Sequence, residues 1–236
     1  MDLERLRREF RARHIDYYPA IDSTMRAAVG LEQGSVVLAG EQTAGQGRHG
    51  RRWHSEPASG IYCSIVLKPA PALTLALGLA TADAIARATG VACDLRWPND
   101  VMLAGKKVAG ILVRVVEGDA IAGIGINVNQ TSFPPELAPE ATSLCLHTGA
   151  PVSLTELILA LLPAVDRFVE LDKDTILRLF TRASTYAAGR RVRVAQPDGI
   201  TEGTTTGLDP AGFLIVRKDD GTDTLIVAGG VRAAGS

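Results

Sequence analysis

The stretch KKVAGILVRVVEGDAIAGIGINVN, residues 106–129, places two apolar, β-branched runs on either side of a Glu-Gly-Asp turn. Such runs at 108–116 and 121–128 predict the two strands of a β-hairpin. The second strand closes with Asn127 and Asn129, which alternate and therefore share one face. A core strand would carry apolar residues on that face. We interpret the two asparagines as strand-end caps or as ligand contacts.

Helices and strands are both predicted on the N-terminal side of this hairpin. Residues 3–13 have the apolar spacing of a short amphipathic helix, and residues 75–88 predict a long alanine-rich helix closed by Gly90. A buried strand is predicted at 36–39. Residues 61–67 alternate and predict a strand with one apolar face. The mixture indicates an α+β unit.

Two further helices are predicted on the C-terminal side of the hairpin. Ser153 opens a capping box and predicts a helix that runs towards Leu171. Pro163 lies inside this helix and should kink it or split it in two, because proline has no amide hydrogen to donate. Asp174 is predicted to cap the next helix, which extends through about Tyr186.

The last fifty or so residues have a different texture, with short apolar runs separated by turns and few helix-forming stretches. The turns include Pro197-Asp198-Gly199 and Asp219-Asp220-Gly221. We therefore divide the chain into a unit of residues 1–187 and a small C-terminal β-barrel of residues 188–236. Strands of that barrel are predicted at 191–195, 201–208, 212–217 and 223–228.

Composition excludes several classes of protein. The 236 residues carry 25 Lys and Arg against 26 Asp and Glu, so there is no overall basic field for bulk nucleic-acid binding. No apolar run is long enough to cross a membrane, and the charged N-terminus lacks the pattern of a signal peptide. The three cysteines, Cys63, Cys93 and Cys145, are widely spaced. They fit neither a disulfide framework nor a zinc site, and indicate a reducing cytoplasm.

The most unusual stretch is GQGRHGRRW at residues 45–53, with three glycines, three arginines and a tryptophan. It contains G-x-G-x-x-G, but no apolar helix follows, so it is not a dinucleotide fingerprint. It also lacks the Gly-Lys-Ser/Thr of a P-loop. Glycines allow backbone amides to approach an anion, arginines bind phosphate or carboxylate, and a tryptophan can stack on a purine. The alternative is a solvated basic turn.

A second unusual stretch is Arg-Trp-Pro-Asn-Asp at residues 96–100, followed by a pair of lysines that open an apolar strand at Lys106. Taken alone, it is typical of a strand end and a turn. Two lysines at the beginning of a strand are usually solvated, but one of them could instead point into a cleft at the strand's edge.

In order and spacing, these segments resemble the bacterial biotin protein ligases (biotin–acetyl-CoA-carboxylase ligases). The resemblance covers nearly the whole chain. This sequence differs from the common family pattern at three positions. Met25 stands where many members have Asn, Gln46 where they often have Arg, and Arg96 where Lys is commoner. The matching segments are Asp-Ser-Thr at 22–24, Glu-Gln-Thr-Ala-Gly at 41–45, the loop 45–53, Arg-Trp-Pro-Asn-Asp at 96–100, Lys-Val-Ala-Gly-Ile-Leu at 107–112 and Gly-Ile-Asn-Val-Asn at 125–129.

The resemblance implies a class II synthetase-like mixed sheet packed with helices, followed by an SH3-like barrel. It implies ATP-dependent attachment of biotin, through biotinyl-5′-AMP, to a lysine of a biotin carboxyl carrier protein. ATP should bring Mg²⁺ with it. Only about 20 residues precede Asp22, too few for a helix-turn-helix domain, so we expect the short form that does not bind DNA. We also expect no membrane association, and we allow for a homodimer.

The resemblance also implies which residues form the site. Arg48, Lys107 and Asp100 are expected to be catalytic, with Asp100 also the candidate Mg²⁺ ligand. The expected biotin contacts are Ser23, Thr24, Met25, Gln42, Gly45, Gln46, Gly47, Arg48, Lys107 and Gly110. The expected ATP contacts are Arg48, Arg51, Arg52, Trp53, Asn99, Asp100 and Asn127.

Two other functions remain open at this point. One is a ligase of the same superfamily that activates lipoate or octanoate, whose pocket would not need the polar set at 23, 24 and 42. The other is a non-catalytic protein that holds RNA or an anionic partner with the basic loop, and its affinity would fall steeply with salt.

Overall fold

A computed structural model describes residues 1–196 and 199–234. A seven-stranded mixed sheet forms its larger part, in the order β1-β2-β3-β7-β6-β5-β4. The pair β1 and β2 is parallel, and the other neighbours in this sheet are antiparallel. The strands are β1 (Ile15–Tyr18), β2 (Val36–Ala39), β3 (Gly60–Leu67), β4 (Asp94–Arg96), β5 (Asp100–Leu103), β6 (Lys106–Val116) and β7 (Asp119–Asn127).

Helices cover both faces of this sheet. The long helices α3 and α5 pack together and bury the main core against one face, whereas α2 packs on the other face with Met25, Val37 and Val66. Both faces are therefore buried, and every residue of β3 is buried. The helices are α1 (Leu3–Glu9), α2 (Thr24–Ala27), α3 (Leu73–Thr89), α4 (Leu144–Thr148), α5 (Leu154–Val169) and α6 (Lys173–Ala183).

The hairpin β6–β7 forms as the sequence predicts. Its turn residues Glu117 and Gly118 have φ values of 53° and 92°. Two successive residues with positive φ make the type of turn whose twist suits a two-residue hairpin. The pairing runs from Val116 opposite Asp119 to Ala109 opposite Ile126. The start of β6 and the end of β7 therefore lie side by side, at the end of the hairpin opposite its turn.

The C-terminal part is a five-stranded antiparallel sheet in the order β11-β10-β9-β8-β12. The α+β prediction, with a small all-β unit at the C-terminus, is thus confirmed, while the division at residue 188 stays a prediction. β12 was not predicted, because its four residues include only one buried apolar side chain. Pro197 and Asp198 of the predicted turn lie outside the described residues. The strands are β8 (Ala188–Gln196), β9 (Gly199–Leu208), β10 (Leu214–Arg217), β11 (Asp223–Ile226) and β12 (Gly230–Ala233).

Three helix predictions need correction. The first helix ends at Glu9 rather than near residue 13. Pro163 does not split the helix predicted after Ser153. That helix, α5, continues through Pro163, with Leu162 and Ala164 buried on either side. Asp174 does not cap the helix predicted to end near Tyr186. That helix is capped by Asp172, whose carboxylate accepts a hydrogen bond from the Thr175 amide at 2.9 Å.

The two sheets are joined near the turn between β4 and β5. Trp97 is buried, and its indole Nε1 donates a hydrogen bond to the Gly212 carbonyl of the C-terminal unit at 2.9 Å. Ser184 Oγ donates to the Leu95 carbonyl at 2.5 Å. The C-terminal sheet is therefore fastened beside the turn that carries Asn99 and Asp100. Among the residues that the structure describes, no helix is long and apolar enough to cross a membrane.

The cap of α6 provides a test of the corrected helix start. Asp172→Ala should lower the thermal unfolding midpoint by about 2–4 °C, because the first turn of α6 loses the oxygen that accepts from the Thr175 amide. Asp174→Ala, which lies inside the first turn, should change the midpoint less. Calorimetry on the two variants checks this, and a larger loss in Asp174→Ala would contradict the assignment.

Candidate functional site

The site begins with three strand positions that carry no side chain. Gly110 of β6 and Gly125 of β7 are cross-strand partners, and Gly123 lies two residues before Gly125 on the same face. On the other face of β7, Ile124 and Ile126 enter the main core. The glycines therefore leave space on the side of the sheet that α2 covers.

The indole of Trp53 lies directly on two of these glycines. A Cβ atom at Gly125 would stand 2.4 Å from an indole carbon of Trp53, and one at Gly110 would stand 2.9 Å from another. At Gly123 the nearest atom would be the Met25 sulfur, at 2.9 Å. Distances this short do not occur between real side chains, so the indole can rest here only because these positions are glycine.

The loop 45–53 folds back on itself and presents Trp53 to this surface. The Trp53 amide donates to the Gly45 carbonyl at 2.9 Å, and the Gly47 amide donates to the Arg51 carbonyl at 2.7 Å. Between them, residues 48–50 form a single 3₁₀ turn. The loop is a short closed hairpin over the sheet rather than a helix start, which agrees with the rejection of a dinucleotide fingerprint.

Two neighbouring cavities lie on either side of this loop. We call the smaller one, of about 50 Å³, the inner pocket, and the larger one, of about 550 Å³, the outer cleft. The inner pocket is lined by Ser23, Thr24, Met25, Gln42, Gln46, Gly47, Arg48, Trp53, Cys63, Asn99, Lys107, Gly110, Ile111, Leu112, Gly123, Ile124 and Gly125. The outer cleft lies between the mixed sheet and the C-terminal unit.

Five residues line both cavities: Gly47, Arg48, Trp53, Asn99 and Lys107. They form the shared wall, through which a molecule in the inner pocket would meet a molecule in the outer cleft. Two of the five, Arg48 and Lys107, are cations. A site of this form favours two anionic groups brought together at one point.

Arg48 is held at the shared wall by Asn99. Its Nη1 donates to Asn99 Oδ1 at 3.2 Å, and Asn99 Nδ2 donates to the Ile111 carbonyl at 2.9 Å. Burial lowers the pKa of Arg48, an effect that the nearby Asp100 carboxylate opposes. A guanidinium keeps its proton in proteins, so this partly buried charge is available to a ligand.

Asp100 is enclosed by two cations. Lys107 Nζ lies 2.5 Å from its Oδ1, and Arg96 Nη2 lies 2.8 Å from its Oδ2. Burial alone would raise the pKa of Asp100, but the charges of Lys107 and Arg96 outweigh burial and hold that pKa below its usual range. Lys107 also lies 5.4 Å from the centre of the Trp53 ring. Lys107 therefore points into the cleft, not into solvent.

The polar end of the inner pocket is built from α2 and the segment after β2. The Thr24 amide and the Thr24 hydroxyl both donate to Gln42 Oε1, at 2.9 Å and 3.0 Å. Ser23 and Thr24 are buried. An apolar pocket with a few ordered polar groups at one end suits a small organic molecule that carries its own donors and acceptors.

The structure brings the sequence-predicted residues together. Of the ten expected biotin contacts, nine line the inner pocket, and Gly45 lies beside it against Gln42 and Trp53. All seven expected ATP contacts line the outer cleft. Which ligand each residue binds stays a prediction. Asn129 is a structural cap, because its side-chain amide accepts from the Val152 amide and donates to the Val152 carbonyl.

Sequence reasoning missed two walls of the outer cleft. One is the segment after β7, which holds Asn127 through the Thr142 carbonyl and contributes Phe133 and Leu137. The other comes from the C-terminal unit and includes Arg232, which forms an ion pair with Glu140. Neither has a motif of its own, and only the packing of the C-terminal unit on the mixed sheet brings them here.

The described residues do not favour Asp100 as a metal ligand. Both of its oxygens are engaged by cations. A divalent cation would have to displace Lys107 or Arg96. The role of Asp100, as a Mg²⁺ ligand or in placing these two side chains, stays a prediction.

The mixed sheet, the basic loop and the two joined cavities define a ligase that activates a small acid with a nucleotide. The family model described as "Biotin/lipoate A/B protein ligase family" matches residues 17–130, and the one described as "Biotin protein ligase C terminal domain" matches residues 188–231. The chain belongs to the biotin protein ligases.

Individual relatives agree with this assignment. The chain is 36% identical over 224 residues to the biotin–[acetyl-CoA-carboxylase] ligase of Mycobacterium tuberculosis, covering 89% of this chain and 82% of that protein. It is 35% identical over 226 residues to the ligase of the same name from Paracoccus denitrificans, covering 86% and 92%. The structure of biotin protein ligase from Aquifex aeolicus in complex with biotin and ATP superposes with a TM-score of 0.85 at 29% identity, covering 94% and 99%.

The glycine surface can be tested by adding a methyl group at two positions. Gly125→Ala should reduce activity about a hundredfold, because the new Cβ would displace the rigid Trp53 ring and misplace the shared wall. Gly123→Ala should cost much less, since the nearest neighbour there is the flexible Met25 side chain. Steady-state kinetics and circular dichroism on both variants check this. Equal losses of activity in the two variants would contradict the requirement that Gly125 leave space for the Trp53 ring.

Asp100→Asn tests the charge arrangement through the pH dependence of stability. At pH 7 the variant should lose about 3 kcal/mol of unfolding free energy, because Lys107 and Arg96 remain without their anion. The folded-state pKa of Asp100 is depressed, so wild type loses this contribution as the pH falls below about 4. Urea unfolding from pH 7 to pH 3 should therefore show the difference shrinking, and a constant difference would contradict the pairing.

Proposed function

We propose that this protein attaches biotin, by way of biotinyl-5′-AMP, to a lysine of a biotin carboxyl carrier protein. The observation that carries the proposal is the shared wall. An inner pocket with a polar end and an outer cleft with basic walls meet at Arg48 and Lys107. In this arrangement biotin occupies the inner pocket and ATP the outer cleft.

The first half-reaction joins two anions. A carboxylate oxygen of biotin attacks the α-phosphorus of ATP, the bond to the β-phosphate oxygen breaks, and pyrophosphate leaves. Arg48 and Lys107 offset the repulsion between the carboxylate and the α-phosphate, so positioning and charge supply most of the catalysis. No side chain needs to act as a nucleophile.

The second half-reaction consumes the mixed anhydride. The uncharged lysine amine of the carrier attacks the biotinyl carbonyl carbon, and the bond from that carbon to the AMP oxygen breaks. AMP leaves with the electron pair, and the nitrogen loses one proton to solvent. Asp100 contributes by holding Lys107 2.5 Å from its Oδ1, at the place where the phosphate oxygens would lie. The loop 45–53 covers the junction and keeps water from the anhydride.

The outer cleft also suits the rest of the nucleotide. Arg51 and Arg52 extend the basic wall beyond Arg48, on the side where pyrophosphate would leave. Trp53 and Asn127 offer a ring face and an amide to the adenylate. Mg²⁺ would accompany ATP and neutralise its phosphates. With Asp100 paired to two cations, the phosphate oxygens themselves would be its main ligands.

The partner is an acetyl-CoA carboxylase carrier domain or a similar one, since the relatives from M. tuberculosis and P. denitrificans bear the name biotin–[acetyl-CoA-carboxylase] ligase. We propose that the protein acts in the cytoplasm, and its three unpaired cysteines support this location. A homodimer, and the absence of DNA binding, stay predictions.

Two neighbouring lysines provide a matched test. Lys107 Nζ pairs with Asp100 at the shared wall, whereas Lys106 Nζ donates to the Ala138 carbonyl at the surface. Lys107→Ala should slow carrier biotinylation about a hundredfold or more, as expected for the loss of one transition-state cation. Lys106→Ala should retain wild-type activity. The measurement is transfer of biotin to a purified carrier domain with MgATP.

A second assay separates the proposal from its rivals. Octanoate and lipoate are offered in place of biotin, and ATP–pyrophosphate exchange is followed for each acid. Exchange with octanoate or lipoate but not with biotin would assign the protein to the other branch of the family. Binding of RNA without exchange for any of the three acids would contradict an acid-activating ligase.

A further inference from the structure

A chain of three polar side chains, the buried Ser64 and Thr24 and the half-buried Gln42, ends at the inner pocket. Ser64 Oγ lies 2.8 Å from Thr24 Oγ1, and Thr24 Oγ1 lies 3.0 Å from Gln42 Oε1. Ser64 is fully buried in β3 and does not line the pocket. It lies behind Thr24, opposite Gly123 on the neighbouring strand.

The direction of these hydrogen bonds follows from their chemistry. The Thr24 amide can only donate, so the Gln42 atom that it meets at 2.9 Å must be the oxygen. That oxygen cannot donate, and so the Thr24 hydroxyl proton points towards it. Thr24 Oγ1 is then left as an acceptor, and the Ser64 hydroxyl is the donor.

These hydrogen bonds fix the orientation of the Gln42 side-chain amide at the polar end of the pocket. With its oxygen held by two donors from Thr24, the Gln42 side chain must turn its NH₂ group the other way, towards Gly45. Because Gln42 lines the inner pocket and its oxygen already accepts two hydrogen bonds, a hydrogen bond from its side chain to a ligand would be one that Gln42 donates. Such a group binds a carbonyl oxygen and gains nothing from a purely aliphatic chain end.

We propose that Ser64 is a positioning residue for acid specificity. Its hydroxyl orients Thr24, and through Thr24 it fixes Gln42 so that the pocket recognises the cyclic urea carbonyl of biotin. This inference rests on the proposed function, because it takes biotin as the acid. Ser64 itself touches neither substrate.

The alternative is that Ser64 only fills space in the sheet. The two roles differ in what they affect. A space-filling serine would alter stability, or the use of ATP and every acid alike. A positioning serine would alter biotin alone, and only while Thr24 retains its hydroxyl.

The experiment compares Ser64→Ala with Ser35→Ala, which also removes a buried serine hydroxyl, just before β2. ATP–pyrophosphate exchange is measured with biotin and with octanoate. Ser64→Ala should raise KM for biotin about tenfold, the typical effect of one lost neutral hydrogen bond, with kcat, KM for ATP and the octanoate rate within about twofold of wild type. Ser35→Ala should change none of these.

A double-mutant cycle with Thr24→Val completes the test. If Ser64 acts through Thr24, then Ser64→Ala should add no further loss of biotin affinity in the Thr24→Val background. Additive losses would overturn the proposal, and so would equal effects on biotin and octanoate. Absence of biotin-dependent exchange in wild type would overturn the proposed function itself, whereas active wild type with an indifferent Ser64→Ala variant would overturn only the role of Ser64.

Discussion

The site depends on a steric constraint on one face of β6 and β7: two glycine positions leave no room for a side chain beneath the Trp53 indole, and a third faces the flexible Met25 side chain. Gly110 and Gly125 leave room for the Trp53 indole, and Gly123 leaves room for Met25. Any Cβ at Gly125 would meet the indole at 2.4 Å. The opposite face of β7 is occupied by isoleucines that hold the sheet against α3 and α5. One strand thus stabilises the fold with one face and makes space for chemistry with the other, which is why a core strand contains two glycines.

Charge is arranged around this space in layers. Asp100 takes up the charges of Arg96 and Lys107 within the protein, while Arg48 is partly buried and held by the neutral amide of Asn99. Among the described residues no carboxylate pairs directly with Arg48, so its charge at the shared wall is open to the approach of two anions. Lys107 can leave Asp100 for a phosphate oxygen without becoming unpaired. The C-terminal unit contributes by fastening Trp97, next to the turn that carries Asn99 and Asp100, through the Gly212 carbonyl.

Much of this could be predicted from the sequence because the signals are local. Two β-branched apolar runs on either side of a Glu-Gly-Asp turn predict the hairpin β6–β7, and Gly90 predicts the end of α3. The expected site residues come from six short motifs that follow one another along the chain, with Met25 directly after the first. What failed was of two kinds. Asp172 and Asp174 are equally good caps by composition, and only the backbone decides between them. The wall residues Glu140 and Arg232, and Ser64 behind Thr24, depend on contacts between distant segments, which no local pattern records.

The central claim is that an acid in the inner pocket and a nucleotide in the outer cleft react at the wall that the two cavities share. The most direct measurement is to incubate the purified protein with biotin and MgATP, without carrier, and to identify the bound product by native mass spectrometry. The account predicts one biotinyl-5′-AMP retained per chain and pyrophosphate released in equal amount. Hydrolysis of ATP without a biotinyl-adenylate, or an adenylate formed equally well with octanoate, would contradict it.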